Sequence, residues 1–467
     1  MANGTTVSLQ FLGAVGGVTG SKFLFSYGDD QLLIDCGLFQ GLKELRQRNW
    51  AQVPIDLRRL RAVILTHAHI DHSGYLPRIV SKGYHGPVFA TPGTCDLLGV
   101  MLPDAAYLQE EEARYANRKG YSKHSPALPL YTIEDAEQAL KLLRPIGVGE
   151  SVEVMKGVFL EFGRVGHILG AGSARLSFAV NGQKRTLLDS GDLGRYDRPI
   201  LKDPEPAGAA DWLLIESTYG NRTHAKDSET ELRNLIKATA AERGCLVIPA
   251  FAIGRTQDLL YTIRKMEDDG EIPAIPVHVD SPMGLEATEI YSRHTDEHNF
   301  EMAKLRDQER CPISSRRMVI ARTPEQSKSI NNLKGPLIII SASGMATGGR
   351  VLHHLKQRLP KLDTTVLLAG YQAEGTRGRL LQDGATEVKL LGEVVPVRAR
   401  IKVLDGFSAH ADQGEILRWL GTFKKAPRTT YVVHGEPPAA SALADIIRER
   451  LGWRVEIAKY QQKVTLA

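Results

Sequence analysis

The sequence predicts an α/β protein, and three observations carry that reading. Short apolar segments alternate with glycine-rich turns through the opening third, as in Leu32-Leu33-Ile34 before Asp35-Cys36-Gly37. Asn181-Gly182 stands between two strand-like runs and is a strong two-residue hairpin signal. From about Asn221 the pattern becomes regular helix–strand alternation, which reads as a parallel, doubly wound domain.

Taken in order, Val7–Leu12 reads as a first strand rather than an export signal, because no basic region and long apolar core precede it. Ala62-Val63-Ile64-Leu65 reads as a buried strand, and Pro87–Ala90 as another. Residues 94–118 are expected to be helical, with Glu110, Glu111 and Glu112 on a wet face, and 119–131 to be an irregular loop. Strands follow at Val152–Val154, Val158–Phe162, Ala174–Val180 and Lys184–Leu188, in a mixed or largely antiparallel sheet. The middle region alternates helix Ser228–Ala241, strand Cys245–Pro249, a helix from near Arg255 and strand Val277–Val279. Strand Leu337–Ile340, a helix from about Arg350 and strand Thr365–Leu368 continue it. Hairpin-like strands are expected near Glu387–Val403, then helix Gln413–Trp419 and strand Thr429–Val433.

A length of 467 residues suits two or three domains, and 42% hydrophobic with 24% charged residues is ordinary for a soluble globular chain. No stretch approaches the length of a membrane span, so no membrane partner is expected. Cys36, Cys95, Cys245 and Cys311 are scattered without a C-x-x-C pair, which argues against a disulfide framework or a thiolate metal site and makes the cytoplasm the default location. The net charge of +5 permits an anionic partner without demanding one.

The chemistry concentrates where strands end. His67 and His69 leave the strand Ala62–Leu65 two residues apart, so both imidazoles can face one ion, while Asp71 and His72 lie past the bend and suit a second. His67 and His69 could be ordinary loop residues and Asp71 a helix cap, but four ligand-type residues within six positions favour metal. His167, in Val165-Gly166-His167-Ile168, reads as a ligand or as a buried turn histidine. Asp192, in Asp189-Ser190-Gly191-Asp192, can bridge two cations or form an Asx turn. Asp35 can orient a ligand histidine from behind or serve its turn. His434 again stands at a strand end. A set of nitrogen and oxygen donors without sulfur favours Zn2+, with Mn2+ or Fe2+ as alternatives.

The series His67-Ala68-His69-Ile70-Asp71-His72, His167 and Asp192 resembles the ligand series of the metallo-β-lactamase fold. Glu216 in Ile215-Glu216-Ser217-Thr218-Tyr219-Gly220, His410 in Phe407-Ser408-Ala409-His410-Ala411-Asp412, and His434 look like motifs A, B and C of the β-CASP nucleases. Pro249–Gln257 and Ser341–Met345 look like the same family, so the likeness covers nearly the whole chain. It is nearest to the branch holding the endonuclease subunit of the cleavage and polyadenylation machinery and its prokaryotic relatives.

The resemblance implies a four-layer αββα sandwich with an inserted doubly wound β-CASP domain. Residues 1–220 and 406–467 would form the sandwich and 221–405 the insertion. It gives one Zn2+ to His67, His69 and His167, the other to Asp71, His72 and His434, and makes Asp192 their bridge. A histidine at motif C favours RNA over DNA. The implied reaction is two-metal hydrolysis of RNA in processing or decay, as endonuclease, 5′-to-3′ exonuclease or both, leaving 5′-phosphate and 3′-hydroxyl ends. Asp71, Glu216 and His410 would be its catalytic residues, with His410 as general acid and Glu216 orienting it; the alternative for His410 is a surface residue at a helix start.

Substrate contacts are expected from Ser341, Ser343 and Gly344 in a strand-to-helix turn, although such turns also occur without a ligand. Arg255 either grips a phosphate or pairs with a surface carboxylate, and Ser408 can donate to the scissile phosphate. A narrow interdomain cleft suits single-stranded RNA, and a homodimer is left open. His353-His354, and His294 with His298, are expected to be solvated helix faces. Two rivals remain: a thioester or lactone hydrolase of the same superfamily, which needs neither Glu216 nor the segment around His410, and a non-catalytic RNA-binding scaffold, which would lose metal ligands.

Overall fold

The computed structural model describes residues 6–52, 54–120, 124–307 and 312–467. The expectations for Cys311 and for the centre of the 119–131 loop lie outside these residues.

Two seven-stranded sheets face each other. The first runs in the order Lys463–Thr465, Val7–Phe11, Phe23–Tyr27, Asp30–Ile34, Leu60–Ile64, Val88–Ala90, Leu143–Pro145. Its first four strands pair antiparallel and the rest parallel. The second runs Val455–Ile457, Thr429–Val433, Trp212–Glu216, Gln183–Asp189, Gly172–Val180, Val158–Arg164, Ser151–Met155. The hairpin at Asn181-Gly182 forms as expected, with both residues at positive φ (51° and 76°) and Val180 paired with Gln183.

Strand periodicity explains the layering. Ala62 and Ile64 join the core between the sheets, whereas Val63 and Leu65 join the one beneath the helices. Trp212 and Leu214 alternate with Leu213 and Ile215 in the same way. Each such strand is covered on both faces, hence its unbroken apolar run. Phe11 meets Tyr431 at 5.3 Å and Phe25 meets Phe178 at 5.0 Å between ring centroids, closing the sandwich.

The strands between Cys245 and Val403 build a parallel six-stranded sheet in the order Met318–Ile320, Val277–Asp280, Leu337–Ser341, Cys245–Pro249, Thr364–Leu368, Arg400–Val403. The chain then returns through Thr429–Val433 and Lys463–Thr465 to the first two sheets. One expectation needs correction: only Glu387–Leu390 and Glu393–Pro396 form a hairpin, while Arg400–Val403 joins the parallel sheet beside Thr364–Leu368.

The paired histidines also differ from expectation. His353 is exposed, but His354 is buried, with Nε2 2.7 Å from Asp280 Oδ2 and Nδ1 2.9 Å from Asn331 Oδ1. His298 is buried against the Tyr291 carbonyl at 2.8 Å, and His294 meets Asp96 at 2.9 Å. Helical spacing alone did not reveal which of these rings had an acceptor waiting in the core.

Candidate metal centre

The ends of strands Leu60–Ile64, Gln183–Asp189, Trp212–Glu216 and Thr429–Val433, with the loop after Val158–Arg164, converge on one edge of the sandwich. They bring together His67, His69, His167 and Asp192 as one group and Asp71, His72 and His434 as another. In each group the donor atoms lie within 4.8 Å of one another.

Three rings have their tautomers set from behind. The Thr66 backbone N–H and hydroxyl both donate to Asp35 Oδ1 at 2.9 Å. That leaves the Thr66 oxygen to accept from His67 Nδ1 at 3.1 Å, so His67 Nε2 faces the cavity with a lone pair. His72 Nδ1 donates to Asp35 Oδ2 at 2.6 Å, which turns its Nε2 inward. The Thr218 hydroxyl lies 3.1 Å from His434 Nδ1 and donates to the His434 carbonyl at 3.3 Å, leaving His434 Nε2 for the cavity. Asp35 is thus placed behind the site, where it orients His72 directly and His67 through Thr66.

The inward nitrogens crowd. His67 Nε2 is 3.1 Å and His167 Nε2 is 3.2 Å from His69 Nδ1, and His72 Nε2 is 3.1 Å from His434 Nε2. Asp192 divides its oxygens between the groups. Oδ2 lies 3.4 Å from His67 Nε2 and 3.5 Å from His167 Nε2, whereas Oδ1 lies 3.3 Å from His72 Nε2 and 3.5 Å from His434 Nδ1. Asp71 Oδ2 adds a carboxylate 3.7 Å from His434 Nε2.

Electrostatics suit cations. Burial, and next the neighbouring His67, push His69 down to about 3. Burial also takes His167 well below its ordinary value, with His410 adding to the effect. These rings are neutral and hold no proton that a cation must displace. Burial opposes charge on His72 as well, but Asp192 and then Asp35 outweigh it and hold that ring well above its usual value. For Asp192, burial is outweighed by His434, His72 and His410, so its carboxyl stays ionised. Asp192 Oδ1 and His167 Nδ1 are buried without a hydrogen-bond partner. Neutral His69 and His167 rings, an ionised carboxylate between the two groups and a His72 proton that a cation would displace fit divalent cations, with no thiolate among the donors.

Glu216 and His410 adjoin Asp192. The buried Glu216 accepts from the Leu193 N–H at 2.8 Å through Oε1 and from the Thr218 N–H at 3.2 Å through Oε2. Its Oε1 is also 3.1 Å from His410 Nδ1. Burial disfavours a charged His410, but Glu216 and Asp192 outweigh it and raise the ring above its ordinary value. The surface reading of His410 does not hold, since its ring lies 4.5 Å from that of His167.

The metal edge opens into a cleft of about 550 Å³ lined also by Phe251, Arg255, Ser343 and Tyr371, which follow the ends of strands Cys245–Pro249, Leu337–Ser341 and Thr364–Leu368, with Ser408 beside His410. Arg255 is 5% exposed, and its Nε and Nη1 have no partner. Burial brings the guanidinium down to about 10. The nearby Asp258 is engaged by Arg198 at 2.6 Å, so the surface-pair reading of Arg255 gives way to an unpaired cation facing the cleft.

Two expected substrate contacts sit elsewhere. Ser341 is fully buried and donates to the Asp280 carbonyl at 3.0 Å, so it does not reach the cleft. Gly344 is also buried, and a Cβ there would come within 2.7 Å of the Phe251 ring, so its bareness admits that ring rather than a phosphate.

Sequence reasoning missed Thr66, Thr218, Phe251 and His224. The His224 backbone N–H donates to Asp412 Oδ2 at 2.8 Å, and its Nε2 donates to the His410 carbonyl at 2.9 Å. A lone histidine with no partner nearby in sequence gives no signal for this; the Thr66-His67 adjacency did offer one.

The metallo-beta-lactamase superfamily model matches residues 15–240, the Beta-Casp domain model residues 256–381, and that of the Zn-dependent metallo-hydrolase RNA specificity domain residues 394–458. Ribonuclease TTHA0252 of Thermus thermophilus is 36% identical over 455 residues, covering 97% of this chain and 98% of that protein. The transcription termination factor FttA of Methanosarcina mazei is 31% identical over 459 residues, covering 95% of this chain and 69% of that one. A crystal structure of a protein of unknown function from Enterococcus faecalis V583 superposes with a TM-score of 0.52 at 13% identity, covering 99% of this chain and all of the other, a likeness of fold alone.

Proposed function

Because the chain belongs to the β-CASP family of the metallo-β-lactamase superfamily, we propose that it is a metal-dependent ribonuclease acting on single-stranded RNA in processing or decay. The observation that carries this reading is the division of Asp192 between two imidazole groups, with the Glu216–His410 pair at its edge. The site would take two cations, Zn2+ in first place and Mn2+ or Fe2+ as alternatives. His67, His69 and His167 would hold one and Asp71, His72 and His434 the other, with Asp192 shared between them. When bound, the pair supplies an activated water as nucleophile and neutralises charge developing on the phosphate.

The protein's own groups do the rest. The positive Arg255 and the hydroxyls of Ser343 and Ser408 orient the phosphate across the cleft. His410 gives a proton to the departing 3′-oxygen, while Glu216 holds its Nδ1 and keeps the ring oriented. Asp71 would hold a cation beside His434 and set a carboxylate at that edge of the cleft. Attack by water leaves 5′-phosphate and 3′-hydroxyl ends, and no cyclic phosphate forms. Phe251, 6.0 Å from the His69 ring, closes the cleft over the metal edge and helps exclude bulk water.

Convergence of all seven ligands supports an enzyme over a non-catalytic scaffold, and the unpaired Arg255 supports a phosphodiester over a neutral thioester or lactone. No helix among the described residues is long and apolar enough to cross a membrane, and we place the enzyme with its RNA in the cytoplasm. The test uses metal-loaded protein and RNAs labelled at either end. Fragments with 5′-phosphates, lost on chelation, are expected, and their sizes separate internal cuts from stepwise removal. Hydrolysis of a lactone or thioester with RNA left intact would overturn the reading.

A further inference from the structure

His167 sits in the loop between strands Val158–Arg164 and Gly172–Val180, which turns at Gly166 and Gly170, at φ of 66° and 74°. Its ring differs from those of His67, His72 and His434 in one respect. Thr66, Asp35 and Thr218 brace those three from behind, whereas His167 Nδ1 is buried without a hydrogen-bond partner. The direction of the His167 ring therefore depends on the backbone of its loop. The sandwich secures both ends of that loop. The Gly194 N–H donates to the Val165 carbonyl at 2.8 Å, and the Thr91 and Thr94 hydroxyls donate to the Gly170 carbonyl at 2.5 Å and 2.9 Å. Between these ends the loop turns to the inserted domain. The buried Leu169 N–H donates to the Tyr291 hydroxyl at 3.1 Å, and a Cβ on Gly254 would come within 2.8 Å of the Ile168 side chain.

We propose that Tyr291 is a positioning residue for the metal centre, holding through the Leu169 N–H the loop that presents His167. The proposal rests on the two-cation reading of the site and adds that the two positions are unequal. The inserted domain completes the one formed by His67, His69 and His167. The sandwich completes the other: the His434 N–H donates to the Ala14 carbonyl at 2.6 Å, the Ser217 N–H to the His434 carbonyl at 3.1 Å and the Ser21 N–H to the Asp71 carbonyl at 2.8 Å. There the inserted domain reaches the Glu436 side chain, two residues past His434, with the Glu374 N–H at 3.4 Å. A buried N–H without an acceptor is costly, so a loop that lost the Tyr291 oxygen would shift toward another one. His167, two residues away, would move with it. Its Nε2 lies 3.2 Å from His69 Nδ1 and 3.5 Å from Asp192 Oδ2, the atoms with which it would share an ion, so a small shift is felt.

Tyr291 is itself firmly placed. It is buried near the end of helix Pro282–Arg293, and its carbonyl accepts from His298 Nε2 at 2.8 Å. Beyond it, the turn Thr295–Glu297 is joined to the sandwich. The Lys202 N–H donates to the Glu297 carbonyl at 3.0 Å, and the Asn299 N–H to the Ile200 carbonyl at 2.9 Å. The Glu297 side chain turns to the same loop. Burial raises its carboxyl above the ordinary value, while the charge of Arg164 and a bond from the Gly170 N–H act the other way. The Tyr291 hydroxyl thus meets the loop from a frame that the two domains share.

The experiment titrates the metal-free protein with Zn2+ against a chromophoric chelator, which gives a dissociation constant for each bound ion. His69→Ala identifies the constant that belongs to the His167 group. Tyr291→Phe keeps the buried ring and removes only the hydroxyl. It is expected to raise that constant by about tenfold, the lower end of the effect of losing a group that orients a metal ligand, and to leave the other unchanged. The control is Tyr27→Phe, which loses a hydroxyl bond to the Ala179 carbonyl at the opposite end of the sandwich. Both of its constants stay at the wild-type values. A merely structural role for Tyr291 would weaken both ions together through a looser fold. That result, or two unchanged constants in Tyr291→Phe, would overturn the proposal while leaving the two-cation reading intact. Wild-type protein that binds fewer than two ions would overturn that reading and the proposal with it.

Discussion

Asp192 turns one oxygen to each imidazole group, so on the proposed two-ion reading its loss would act on both positions at once. Asp192→Ala is expected to lower metal content at both positions and to reduce cleavage with it, measured by elemental analysis beside an RNA assay; retention of both ions would refute the bridge. His410 behaves differently, because its ring contacts Glu216 and the cleft rather than completing either group. His410→Ala should keep its metal and lose about 10²–10⁴-fold in kcat, the range of a general acid. His224 does not touch the cleft and meets the His410 segment through its Nε2 bond to the His410 carbonyl and its backbone bond to Asp412. His224→Ala is expected to lower kcat by about tenfold with KM unchanged, and His224→Gln, whose amide can still donate, to recover most of it. The convergence of the candidate ligands was legible, since a strand period of two and a cluster of donor types encode it. Ser341 was misplaced because sequence cannot show which hydroxyl at a strand end turns into the sheet, and here the Asp280 carbonyl claims it.

Elements were read well where a single local force sets them. The Asn181-Gly182 turn needs two residues at positive φ, and those are the two residues that adopt it most easily. The run Ala62–Leu65 was recognisable as a buried strand because both faces are covered, whereas the equally apolar strand Trp212–Glu216 was not read as one. Arg400–Val403 was read as part of a hairpin since its pairing with Thr364–Leu368 is a long-range parallel one that leaves no turn signature. The segment behind the first strand carries a buried charge that no pattern announced. Lys22 is 2% exposed, donates to the Gly20 and Gly37 carbonyls, and sits 4.5 Å from the Phe39 ring centroid. Burial lowers it from 10.5 to about 8, against the opposing pull of Cys36 and Asp35. Below pH 8 both folded and unfolded states carry this proton, and the cost of burying the charge is fully present. Between about pH 8 and 10.5 the unfolded state binds more proton, so stability rises with pH, by at most about 3 kcal/mol. Denaturant midpoints at pH 7 and pH 10 should show that Lys22→Met removes this rise; an equal rise in the variant would assign it elsewhere.

At the scale of the whole molecule, one chain leaves a two-sheet sandwich, builds a parallel sheet and returns, and the cleft forms where the two units meet. Val18 packs there with Met345 and Ala373, and the Tyr291 hydroxyl accepts from the Leu169 N–H at 3.1 Å across the junction. Cations held at the edge of the sandwich would bind the folded state better than the unfolded chain and so add to its stability by mass action. Chelation is expected to lower the melting temperature, corresponding to about 4 kcal/mol where free ion exceeds its dissociation constant by about a thousandfold, and readdition to restore it. The same treatment should leave Asp192→Ala nearly unmoved. The overall architecture was legible only through motif order along the chain, because periodicity separates the sandwich from its insertion but cannot say that the last strands return to complete both earlier sheets.

The most direct measurement is anomalous diffraction from crystals of the metal-loaded protein. Two peaks are expected, one within reach of His67, His69 and His167, the other of Asp71, His72 and His434, with an oxygen of Asp192 on each. A single peak, or peaks away from these side chains, would contradict it.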